Sequence, residues 1–217
     1  MNRPAACLFD LDGLLLDTEP LHGRAWSQAA HHFGVELAAD QLLSLRGRRR
    51  QDNAAQVLQW IQAQQGQAPT AEALFAVQQP IAQRLLPQAR GIDGAAELLT
   101  RCQELSIPMA LVTSSSAEAV AHKAAPHPWL ALIGMHVHGD DPELERGKPA
   151  PDSFLLAAHR LGVPAADCWA FEDSPAGALA AREAGCQVHV LVAPDLDRSV
   201  FPTGVRLLRS LRAVELA

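Results

Sequence analysis

The apolar positions of the chain fall into two patterns. Short continuous apolar runs at residues 6–9, 109–113, 132–137, 168–171, 187–192 and 205–208 have the length and character of buried strands. Separating the later runs are stretches with helical spacing at 94–105, from about 116, at 152–161 and at 174–184. Strands that alternate with helices predict an α/β fold, a Rossmann-like parallel sheet with helices on both faces. Ligands of such sheets gather at the carboxyl ends of the strands.

Between the first run and residue 88 the pattern is purely helical. Leu21, Ala25, Trp26, Ala29 and Phe33 recur at helical spacing after Pro20, which suits a first turn, and Gly34 closes that helix. A short helix fits 38–45. A third fits 52–64, with Ala54, Ala55, Leu58 and Ile61 on one stripe. Pro69-Thr70 opens a fourth that carries Leu74, Val77, Ile81 and Leu85. Residues 17–87 therefore read as a helical insertion in an α/β domain made of residues 1–16 and 88–217.

Composition narrows the field. A chain of 217 residues, 48% hydrophobic, supplies one full domain plus a small second module. The net charge of −6 argues against a general nucleic-acid binder, yet leaves room for a small anion held by local positive charge. Cys7, Cys102, Cys168 and Cys186 lie far apart with no CxxC pair, which favours reduced buried thiols over a disulfide framework or zinc site. No signal-peptide pattern opens the chain and no apolar run is long enough for a bilayer. The expectation is a cytoplasmic protein with no membrane partner, monomeric by default.

Candidate chemistry sits at the strand ends. Asp10 and Asp12 follow the first strand two residues apart, and a period of two sends both to one side. Two such acids cannot both be charged without a cation or a shared proton. Gly13 lets the backbone turn there; an ordinary Asp–Gly surface turn is the competing reading. Thr113-Ser114-Ser115 precedes a helix, as an anion cradle or as a plain N-cap. Lys148 is one of only two lysines, the other being Lys123, in a chain with sixteen arginines. Placed before Pro149, its ammonium could neutralise a phosphoryl oxygen and a carboxylate, or simply stand exposed in a loop. Glu172-Asp173 suits either metal ligation or a helix N-terminus. Four clusters at the strand ends of one sheet carry weight that no single one has.

Taken together, these residues resemble the haloacid dehalogenase superfamily of phosphohydrolases. Asp10-Leu11-Asp12-Gly13 resembles its first motif, Thr113 its second, Lys148 its third and Glu172-Asp173 its fourth. A helical insertion directly after the first motif resembles the subgroup with a four-helix cap, which includes β-phosphoglucomutase and many small phosphatases. Residues 12–19, 113–115 and 139–143 are most similar to its pseudouridine-5′-phosphatase and glycerol-phosphate phosphatase branch.

The resemblance implies a four-helix-bundle cap domain over residues 17–87 and a Mg²⁺-dependent phosphatase acting on a small phosphorylated metabolite. Asp10 is then the nucleophile that forms an aspartyl-phosphate, and Asp12 the general acid and base. Mg²⁺ would be held by Asp10, the main-chain carbonyl of Asp12 and Asp173, with Glu172 close by. Thr113, Ser114 and Lys148 would hold the non-bridging oxygens, with Ser115 beside them. An acid at position 12 speaks against a dehalogenase, and a cap without lysine speaks against a phosphonatase.

By the same resemblance Arg46 and Arg50 reach toward the substrate from the run Arg46-Gly47-Arg48-Arg49-Arg50, whose other arginines are expected to be solvated. His22 would stand near the proton-transfer site, or merely on a helix surface. His22, Arg50 and Lys148 also support a β-phosphoglucomutase-type phosphotransferase as the alternative, although Ser114-Ser115-Ser116-Ala117 lacks the lysine–asparagine pair of the mutase. His31-His32 and His136/His138 are expected to pack or face water, since no third ligand is spaced for zinc.

Overall fold

The structure is a computed structural model that describes residues 3–46, 48–193 and 196–216. Six strands, β1 (Ala6–Phe9), β2 (Met109–Val112), β3 (Met135–Val137), β4 (Cys168–Glu172), β5 (Gln187–Leu191) and β6 (Arg206–Leu208), form one sheet in the order β3-β2-β1-β4-β5-β6. Every pairing is parallel. The helices are α1 (Glu19–His32), α2 (Ala39–Ser44), α3 (Arg50–Gln65), α4 (Ala71–Leu85), α5 (Ala95–Glu104), α6 (Ala117–Ala124), α7 (Asp152–Leu161) and α8 (Pro175–Glu183).

Strands β1, β2 and β4 are buried at every position, as a sheet covered on both faces requires. Their period of two sorts the side chains. Cys7, Phe9, Met109, Leu111, Trp169 and Phe171 pack on the α5 side; Ala6, Leu8, Ala110, Val112, Cys168 and Ala170 pack on the α7 and α8 side. The strand expected at 132–137 is shorter than its apolar run. Pro128 opens a 3-10 turn over Pro128–Leu132, and extended pairing starts only at Met135.

Helices α1 to α4 share a separate apolar cluster that includes Trp26, Ala29, Ala30, Val57, Ile61 and Leu74. Pro80 lies inside α4 on an exposed face, and the helix continues past it to Leu85. The chain leaves the sheet after Leu16 and returns at Gly91, and these two residues form an antiparallel bridge. Asp17 N–H donates to Arg90 O (2.8 Å) and Ile92 N–H to Leu15 O (2.9 Å), so exit and re-entry are hydrogen-bonded neighbours.

From β1 the sheet grows outward through β2 and β3, then resumes on the opposite side of β1 with β4. That reversal opens a crevice at the carboxyl end of β1, where side chains from both directions converge.

Candidate active site

At the ends of β1, β2 and β4 stand Asp10, Thr113 and the pair Glu172-Asp173, all buried. Lys148 arrives from the loop before α7 and places its ammonium between them. Its Nζ donates to Asp10 Oδ1 (2.6 Å), Glu172 Oε1 (2.5 Å) and Val112 O (2.9 Å), which uses all three donors of a buried lysine. Burial alone would lower its pKa; the charges of Asp10 and Glu172 more than reverse this and hold it above the ordinary lysine value.

Asp10, Glu172 and Asp173 each offer a ligand atom within 4.8 Å of the others. Burial pushes the Asp10 carboxyl up to about 8, with Lys148 opposing and Glu172 and Asp12 adding to the rise. Burial, then the neighbouring Glu19 and Asp10, push Asp173 well above the carboxylate range. Asp173 Oδ1 is buried without a hydrogen-bond partner. Three buried acids, two of them paired with one ammonium and the third with an orphaned carboxylate oxygen, are a donor set that suits a hard divalent cation. Gly13 makes the approach of the first loop to this cluster feasible: its φ is +84°, and a Cβ there would collide with the Asp173 carboxylate.

Two acids at the spacing of Asp10 and Asp12 call for a cation or a shared proton, and in the fold each of them has its own lysine. Lys123 Nζ donates to both Asp12 oxygens at 2.6 Å and to Ser115 Oγ at 2.8 Å. Ser115 Oγ donates to Asp12 Oδ2 (2.9 Å), Thr18 Oγ1 donates to Oδ1 (2.6 Å), and His22 Nε2 lies 3.2 Å from Oδ1. Burial would raise the Asp12 pKa, yet the Lys123 charge and the His22 contact overcome it and hold the carboxyl well below its usual range. Thr18 precedes α1 but makes no capping bond, its hydroxyl being directed to Asp12.

Thr18, Lys123 and Glu19 stand in this site without being among the candidate residues read from the sequence. Lys123 lies on the buried face of α6 with Val120; a lysine on the apolar stripe of a helix, in a chain with two lysines, is the signal that marks it. Glu19 is buried beside Gly13, with Arg46 Nε 3.4 Å from its Oε2. Burial pushes its carboxyl up to about 8, against the Arg46 charge.

After β2, Thr113 Oγ1 accepts from Ser115 N–H (3.1 Å), while Ser116 caps α6 by accepting from Ala119 N–H (3.3 Å). Thr113 and Ser114 are therefore not consumed as the cap. Asp140 Oδ1 accepts from Ala117 N–H, and Asp141 and Glu143 pair with Arg160, so the 139–143 segment ties the start of α6 to α7.

A cavity of about 600 Å³ joins the sheet end to the helical insertion. Asp10, Asp12, Thr113, Ser114 and Ser115 line one side of it; His22, Arg46, Arg48 and Arg50 line the other. Arg50 lies over the Phe75 ring (4.4 Å) and donates to Gln79 Oε1 (3.2 Å). Arg48 and Arg49 are half-buried rather than fully solvated, and Arg49 packs against Gly147. His31 and His32 are exposed, and the His136 and His138 rings meet edge to face. Among the described residues no helix is long and apolar enough to cross a membrane.

A family profile described as haloacid dehalogenase-like hydrolase matches residues 4–185. The chain is 36% identical over 216 residues to a probable pseudouridine-5′-phosphatase of Drosophila melanogaster, across 97% of this chain and 91% of that protein. It is 31% identical over 225 residues to (DL)-glycerol-3-phosphatase 2 of Arabidopsis thaliana, across 97% and 93%. The crystal structure of CbbY from Rhodobacter sphaeroides in complex with phosphate matches with a TM-score of 0.79 at 25% identity, across 97% of this chain and 96% of that one. With the profile spanning most of its length and these relatives matched nearly end to end, the chain belongs to the haloacid dehalogenase-like hydrolases.

Proposed function

We propose that the chain is a Mg²⁺-dependent phosphatase that hydrolyses a small phosphate monoester (a sugar, polyol or nucleoside phosphate) through an aspartyl-phosphate. The observation that carries this reading is the pair of separately managed carboxylates on one cavity: Asp10 beside Lys148 and the acid cluster, and Asp12 beside Lys123. The relatives whose names denote phosphatases, and the phosphate in the CbbY structure, support it.

An Asp10 oxygen attacks phosphorus, the bond to the leaving oxygen breaks, and Asp12 delivers a proton to that oxygen. Asp12 then takes a proton from water, whose oxygen attacks phosphorus and releases Asp10 and inorganic phosphate. Asp12 is ionised in the substrate-free site, the form that the second step needs. The proton for the first step arrives with the ester, whose second ionisation lies near pH 6. Thr113 and the Ser114 backbone hold the non-bridging oxygens, and the Lys148 ammonium, hydrogen-bonded to Asp10, Glu172 and Val112, offsets their charge from beside Asp10. Asp10 and Asp173, with the Asp12 carbonyl and Glu172 close by, would hold Mg²⁺, which when bound neutralises phosphoryl charge. Helices α1 to α4 act as a cap that selects the leaving group.

Transfer of the phosphoryl group between sugar hydroxyls is the second reading, favoured by His22 at Asp12 and Arg50 on the cavity wall. It is the weaker one, since the Arg50 guanidinium is engaged by Phe75 and Gln79. Phosphate release from a panel of phosphorylated metabolites under Mg²⁺, run beside glucose 1-phosphate isomerisation with a bisphosphate primer, separates the two. Primer-dependent isomerisation without net release would overturn the phosphatase reading.

A further inference from the structure

We infer that Lys123 is the positioning residue for the proton-transferring carboxylate, an inference that rests on the proposed role of Asp12. Lys123 is 1% exposed, and all three of its donors go to Asp12 Oδ1, Asp12 Oδ2 and Ser115 Oγ. Asp12 and Ser115 line the cavity and Lys123 does not, so its ammonium stands behind the carboxylate and acts through it.

The grip on Asp12 comes from two bodies of the fold. Thr18 and His22 lie at the start of the helical insertion; Lys123 and Ser115 belong to the α/β core, on α6 and on the loop before it. An ester entering the cavity passes between the insertion and the core. The contacts of Thr18 and His22 are those that a shift of the insertion disturbs, whereas the Lys123–Ser115 pair stays with the sheet that carries Asp10. A charge-assisted, two-oxygen contact from a helix of the α/β core keeps the Asp12 carboxylate in register with phosphorus without relying on the insertion. Stability gives little reason for the arrangement, because a buried ion pair is commonly no better for folding than apolar groups of the same volume.

The test compares two esters in Lys123→Met. Glycerol 3-phosphate has an alkoxide leaving group that needs a proton; p-nitrophenyl phosphate leaves as a stable phenolate that does not. The expected result is a kcat/KM loss of about 10²-fold for glycerol 3-phosphate and less than about fivefold for p-nitrophenyl phosphate, with KM little changed. Asp12→Asn should show the same split, larger. Equal losses on both esters in Lys123→Met, beside a split in Asp12→Asn, would overturn the positioning role and leave the reading of Asp12 standing. An Asp12→Asn protein without the split would sink both. Should Lys123→Met fail to fold by circular dichroism, Ser115→Ala carries the test: a smaller split in the same direction supports the inference, and equal losses refute it.

Discussion

Gly177 offers a sharp check on how tightly the Lys148 site is built. It lies in the first turn of α8, and its N–H donates to Ser174 Oγ (3.0 Å). A Cβ placed on Gly177 would fall under 3.0 Å from three atoms of the Glu172 carboxylate. Glu172 is 0% exposed and is held by Lys148 (2.5 Å) and Ser174 (3.2 Å), so the carboxylate has no free direction in which to retreat. Glycine to alanine in a helix ordinarily stabilises by about 0.5–1 kcal/mol. Overpacking opposes this with about 1–3 kcal/mol, and a carboxylate driven off its buried lysine adds up to about 3–5 kcal/mol. The net expectation for Gly177→Ala is a loss of about 2–4 kcal/mol, or roughly 5–15 °C in Tm for a chain of this size. Turnover should fall by about 10²-fold or more, because Lys148 loses its anchor. Gly23→Ala is the matched control: a Cβ there meets nothing within 4 Å, so helix propensity acts alone and Tm should rise slightly. Thermal melts and phosphate release on both variants decide the matter. A Gly177→Ala protein as stable and active as the parent would refute the packing argument at Glu172.

Three further expectations follow from the same geometry. Asp10→Asn should abolish both turnover and acid-stable labelling by ³²P-substrate; a labelled phosphoenzyme in that variant would contradict nucleophilic attack by Asp10. Burial pushes Asp10 and Glu19 up to about 8, so the folded metal-free protein holds protons that the unfolded chain has already released, and its stability falls as pH rises from about 4 toward 8. A divalent cation displaces those protons, so added Mg²⁺ should raise Tm more at pH 8 than at pH 5, and equal increments would argue against ligation by these acids. His189, stacked on Phe171 and tilted against Trp169, is pushed down by burial to about 4. Its contribution is fully present above the unfolded value near 6.5 and is lost as pH falls toward 4, so between pH 7.5 and 4.5 the parent should lose about 2–3 kcal/mol more than His189→Leu in urea titrations.

The strands and the helical insertion are legible in the chain because their apolar periods are local, and the strand-end residues follow from them. Asp10, Thr113, Lys148 and Asp173 are readable as candidate site residues because each stands at the end of an apolar run or in an unusual composition. Lys123 is not, because its partner is 111 residues away and only the docking of α6 brings its buried face to Asp12. Glu19 stands in the first turn of α1 as an ordinary helix N-terminal acid would, and only the fold brings it beside Gly13 and Asp173. In the run 46–50 charge density alone suggests a solvated face, yet the fold sends Arg46 to Glu19, Arg49 to Gly147 and Arg50 to Phe75.

The bridge between Leu16 and Gly91 bears on how such a molecule diversifies. Because the outgoing and returning segments already touch, whatever is spliced between them should be open to lengthening, shortening or exchange without disturbing the register of the sheet. A minimal hairpin joining Leu16 to Gly91 should leave a foldable scaffold with an uncovered crevice, onto which a different set of helices could be grafted.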